Sequence, residues 1–157
     1  MKGKTNILNL IFVSLLSTAL AIFGFVYFYS ASNDLFHSIN NLSPVIQYQR
    51  GAMYGLGGGI SFSCLVITFS ILIFYKKIPF KIEKKLMKIF FTGLVLMLVV
   101  PVLTGIIIPH IIEGKGYQRC EKAERRASWP IFRIHIYTDN RQVCEQLIEE
   151  KQQSGRY

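Results

Sequence analysis

The sequence predicts an all-α membrane protein: three transmembrane helices carrying a small extracytoplasmic α/β cap. Three observations lead there. The chain of 157 residues is 51% hydrophobic and only 17% charged, against roughly a quarter charged in soluble domains. Its apolar residues are gathered in three long runs. Its charge divides unevenly, with a net of +7 over residues 1–112 and +2 over residues 113–157. The division expected is a transmembrane region at 1–112 and a water-exposed cap at 113–157. This pattern argues against a soluble enzyme, a disordered tail protein and a free nucleic-acid binder.

The three runs are residues 7–29, 52–75 and 89–112, of 23, 24 and 24 residues. About 20 apolar residues cross a hydrocarbon core of roughly 30 Å, and inside lipid each run must be a helix to satisfy its own backbone. The first run is longer than the ~7–15 apolar residues of a signal peptide, so an uncleaved anchor is expected. No Asp, Glu, Lys or Arg lies inside any run. Ion pathways and proton relays normally need such residues, which argues against a transporter or pump.

Lysines set the expected orientation. Lys2 and Lys4 precede the first run, Arg50 is the one Lys or Arg of the first loop, and KKIPFKIEKKLMK between the second and third runs holds six lysines. Positive residues stay cytoplasmic, which places the N-terminus and lysine loop inside, and the first loop and C-terminal cap outside. The lysines are read as a topology determinant touching anionic lipid headgroups, and no nucleic-acid partner is expected.

Within the second run, Gly51, Gly55 and Gly59 are spaced by four, with Gly57 and Gly58 between them. Residues i and i+4 share a helix face, so these glycines predict a groove where another backbone packs closely. The partner expected first is another helix of the same chain, with a second copy or another protein as alternatives. Pro101, mid-way along the third run, removes a backbone hydrogen bond and predicts a kink.

The cap region changes character. In WPIFRIHIYTD, Phe132, Ile134 and Ile136 alternate with Arg133, His135 and Tyr137, the period of a half-buried strand. His135 is expected to be exposed. Thr138-Asp139-Asn140 reads as a turn and cap for an amphipathic helix over about 141–153, and residues 117–126 as a short helix. The first loop reads as a short interfacial helix begun at Ser32 or Asn33, with Leu35, Phe36 and Ile39 toward the membrane. A 45-residue unit buries little core. Cys120 and Cys144 are therefore expected to staple it as a disulfide rather than remain free thiols, with Cys64 left in the membrane. No catalytic constellation, metal site or cofactor motif is evident.

The Ile/Phe/Lys/Asn-rich wording, the lysine loop and the two-cysteine tail resemble the small multi-span inner-membrane proteins of gammaproteobacteria. Some of those are toxin-immunity proteins. The resemblance implies a bacterial inner-membrane protein with its cap in the periplasm. The function expected is non-catalytic binding of a protein partner, a toxin, at that outer face. The alternative is an accessory or structural subunit of a larger membrane complex. Arg125, Arg126, Arg133, Asp139, Arg141 and Glu145 are the charged cap residues expected to match a partner's charge pattern.

Overall fold

The computed structural model describes residues 7–75, 77–124 and 133–153. Helix α1 spans Ile7–Asn40, strand β1 Val45–Gln49, and a 3-10 turn Arg50–Met53. Helix α2 spans Tyr54–Tyr75 and α3 Phe80–Gly114. Strands β2 (Gln118–Arg119) and β3 (Ile134–Thr138) follow, and α4 spans Arg141–Gln153.

Helices α1, α2 with its preceding turn, and α3 are each long and apolar enough to cross a membrane. Their surfaces agree with that reading. Leu8 is 78% exposed, Phe12 67% and Leu98 69%, whereas a water-soluble chain rarely shows apolar patches beyond a few hundred Å². The chain is an integral membrane protein with three long apolar helices and a small three-stranded sheet.

Three local expectations are corrected. First, α1 does not give way to a separate interfacial helix: it runs unbroken to Asn40. No Gly or Pro interrupts residues 25–43, and Leu35 is buried in a core rather than turned to the membrane, with Ile39 packed against it. The helix ends where Leu42 adopts φ 49° and the amide of Ser43 donates to the carbonyl of Ser38, a left-handed C-terminal closure. Second, residues 117–124 of the expected 117–126 helix are not helical: Gln118–Arg119 is strand β2, entered through Gly116 at φ +91°, a conformation glycine adopts freely. Arg125 and Arg126 lie outside the described residues. Third, the first loop is not all loop beyond the helix: Val45–Gln49 is a strand.

The structure divides into two compact units, residues 1–27 with 54–99, and residues 28–53 with 100–157. The division runs across α1 and α3.

The first unit is held by small residues. A methyl group on Gly24 would lie 3.0 Å from the carbonyl oxygen of Gly55 and 3.3 Å from the amide of Gly59. On the α3 side, Gly57, Ser61 and Cys64 follow one another up one face of α2. Gly57 meets the backbone at Gly93 and Met97, Ser61 Oγ donates to Phe90 O at 3.4 Å, and Cys64 Sγ to Leu86 O at 3.0 Å. Close backbone approach at small residues is how helices gain packing energy in lipid.

The second unit is built on an antiparallel sheet of order β1-β3-β2. Ile46 faces Tyr137 and Tyr48 faces His135 across the β1–β3 pair. Ile46, Tyr48 and Tyr137 join Leu35, Met53, Ile112 and Tyr117 in one buried core. Buried hydroxyls find partners, as they must: Tyr48 donates to Thr104 Oγ1 at 3.0 Å and Tyr117 to Ser43 O at 2.9 Å. Helix α4 begins as the sequence predicts, with Asn140 Oδ1 accepting from the amide of Gln142 at 3.0 Å, an N-cap bond.

Candidate functional site

The sheet unit gathers most of the chain's chemistry-bearing side chains. The Cys120–Cys144 disulfide predicted from the sequence is present, with Cα atoms 5.8 Å apart. It ties the turn after β2 to the first turns of α4. The helix has no fully buried side chain of its own.

Beside the disulfide sits an ionic cluster. Arg119 grips Glu124 with two parallel bonds, Nε to Oε1 at 2.6 Å and Nη2 to Oε2 at 3.1 Å, the bidentate geometry that makes such pairs strong. His135 Nδ1 lies 3.1 Å from the same Oε1, and its ring stacks on Tyr48 at 6.1 Å. The expectation of an exposed His135 is therefore corrected: its side chain is 16% exposed. Register is the reason, because His135 shares the core-facing side of β3 with Tyr137. The backbone carbonyl of Glu124 also accepts from Lys151 Nζ at 2.6 Å, which fastens the end of α4 to this turn.

Burial pushes the Glu124 carboxyl upward, but the hydrogen bonds from Arg119 and His135 outweigh it and hold it below its ordinary value of 4.5. A carboxyl depressed in the folded state adds stability that is complete above the unfolded value. That stability is lost as pH falls through the folded one. The sheet unit should therefore lose stability as pH drops below about 4.5. Glu124→Gln should flatten that slope and cost on the order of 1 kcal/mol at neutral pH, because Arg119 is partly solvated. Unfolding followed against pH in both proteins checks this; an unchanged acid slope in the variant contradicts it.

The charged residues proposed for recognition stand apart from this cluster. Arg133 and Asp139 flank β3 and are exposed. Arg141 pairs with Glu145 at 3.2 Å on the surface of α4, 88% and 61% exposed, so solvent screens that pair. Of the glycines read from the sequence, Gly55 and Gly59 lie against Gly24, while Gly51 is buried in the 3-10 turn of the sheet unit. Pro101 is fully buried, and α3 continues through it.

Arg50, a plain loop charge in the sequence, is seated against α3 at Gly105. A methyl group on Gly105 would meet Arg50 Nε at 3.3 Å and Cζ at 3.4 Å, so the missing side chain of Gly105 makes room for the guanidinium. Its Nε is buried and has no hydrogen-bond partner among the described residues. Pro109 lacks the N–H that would bond the Gly105 carbonyl within the helix.

The family model described as "Protein of unknown function (DUF1240)" matches residues 45–145, more than half of the chain. The chain belongs to the DUF1240 family. The DUF1240 match begins at the first residue of β1 and ends one residue after Cys144, so it takes in α2, α3, all three strands and both disulfide cysteines. No curated protein and no solved structure matches the chain.

Proposed function

We propose that this DUF1240 protein is a non-catalytic protein of the bacterial inner membrane. It recognises a protein partner at the outer face of that membrane and neutralises a toxin there as an immunity protein. One observation carries the reading. Strand β1, from the first loop, pairs along its full length with β3 from the C-terminal tail. The two segments expected on the outer side are thus one folded surface. That surface presents exposed charges of both signs at Arg133, Asp139, Arg141 and Glu145, which suits selective pairing with a charged partner. The disulfide supports an oxidising compartment for it. The orientation, with the N-terminus and lysine loop in the cytoplasm, rests on the positive-inside rule.

The test is capture of the partner from native membranes. Tagged full-length protein is extracted in mild detergent and its bound proteins are identified. Arg133→Glu with Arg141→Glu is carried in parallel. The reading predicts one stoichiometric toxin, lost in the charge-reversed protein while the disulfide persists. A toxin held equally by both proteins would remove the charged surface from the account. The competing reading, an accessory subunit of a membrane complex, draws on Gly58. A methyl group there meets nothing within 4 Å, leaving a small position on α2 open to a foreign helix. It predicts constant co-purification with envelope proteins, lost in Gly58→Leu and retained in the charge-reversed protein.

A further inference from the structure

The hydrogen-bond phase of the sheet shows which main-chain groups of β1 are used. The amide of Asp139 donates to the carbonyl of Pro44 at 3.2 Å. In an antiparallel ladder, bonded and non-bonded residue pairs alternate, so Ile46 and Tyr48 turn their N–H and C=O groups toward β3. Val45 and Gln47 turn theirs the other way. The far side of β3 keeps the same phase, since Ile136 O accepts from the amide of Cys120 at 2.8 Å. Among the described residues, β3 is the one strand that pairs with β1.

The outward edge of β1 opens on a groove rather than on flat surface. Val45, Gln47 and Gln49 line one side, and Ala31, Asp34 and Ser38 of α1 the other. The three α1 residues fall at i, i+3 and i+7, one helical face. That face lies next to the one that buries Leu35 and Ile39. The groove holds about 220 Å³, below the roughly 300–1,000 Å³ usual for small-molecule sites. Its polar lining is ill-suited to an acyl chain. Asp34 is exposed and makes no ion pair among the described residues.

The geometry points to strand addition: an extended peptide segment of the partner docks between β1 and α1 as a fourth strand, with a basic side chain against Asp34. An unpaired sheet edge is a template for such a segment, and an edge strand facing a helix is a known way of receiving one, the main chain giving affinity and alternate side chains specificity. The helix wall favours a single segment over the edge of another sheet. The inference rests on the protein-recognition reading above and names how the partner is held.

The test uses full-length protein in detergent and, as probe, a displayed library of random short peptides. Strand addition predicts enriched peptides carrying Lys or Arg at one fixed position, whose binding is abolished by N-methylation of alternate amides. Gln47→Pro is the informative variant. Its N–H faces away from β3, so proline there spares the β1–β3 ladder yet removes a donor from the groove. Binding should fall about tenfold or more with the disulfide and thermal midpoint retained. Asp34→Lys, at an exposed position, should repel the same peptides and guards against an unfolded Gln47→Pro. Enrichment of no peptide, or of peptides indifferent to both variants, overturns strand addition. Capture of the native partner by Gln47→Pro as well as by the unaltered chain also overturns it, and leaves the recognition function standing.

Discussion

Gly57→Leu is expected to disrupt the packing of α2 on α3, the largest effect of any single substitution in the helix unit. The first carbon of any side chain at this position would lie 2.5 Å from the Cα of Met97 and 2.6 Å from the carbonyl oxygen of Gly93. Both are backbone atoms, so no rotamer change relieves the clash; the helices must separate. Overpacking in a core costs about 1–3 kcal/mol where side chains can yield, and more is expected here. Separation would also break the bonds of Ser61 to Phe90 and Cys64 to Leu86 further along the same face. Gly58→Leu is the internal control, since nothing lies within 4 Å of that position. Thermal unfolding in micelles should show Gly57→Leu strongly destabilised and Gly58→Leu close to the unaltered protein. Equal midpoints for the two would refute the packing described.

Loss of the Cys120–Cys144 disulfide is expected to have the largest effect in the sheet unit. The crosslink closes a loop of 24 residues' separation, worth about 3 kcal/mol if it acts by restricting the unfolded chain. Helix α4 depends on it, because Val143, Leu147 and Ile148 are only half-buried and Lys151 is what else ties it to the Lys122–Glu124 turn, donating to the carbonyls of Lys122 and Glu124. Cys120→Ser, Cys144→Ser and the double variant should be destabilised alike, since each breaks the same bond. Amide exchange in α4 should rise well above that of β3. A double variant that costs twice either single one would mean that the cysteines contribute chiefly by packing.

The features legible in the sequence were those written in local composition or period. Three uncharged runs marked the membrane helices, strict alternation marked β3, Asn140 ahead of an amphipathic stretch marked α4, and two cysteines in a coreless tail marked the disulfide. What stayed hidden depends on distant partners. Val45–Gln49 alternates as cleanly as β3, with Ile46 and Tyr48 buried, but its pairing partner lies about ninety residues further along the chain. Gly24 and Gly93 carry no motif, and their meaning comes from the glycines and Ser61 that they meet. The Arg119–Glu124–His135 cluster required the register that turns His135 inward. Ser32 and Asn33 have the form of a helix cap, but α1 runs through them unbroken because burial of Leu35 outweighs that local preference.

Vectorial labelling with a membrane-impermeant maleimide tests the account at its centre, which is that the sheet unit is an outward-facing recognition surface. Single reporter cysteines at Asp139 and at Lys84, each in a Cys64→Ser background, are probed in intact cells and again after permeabilisation. The account predicts that Asp139→Cys labels in intact cells and that Lys84→Cys labels only once the membrane is opened. The reverse pattern would place the disulfide-bonded sheet in the cytoplasm and contradict both the proposed compartment and the proposed partner.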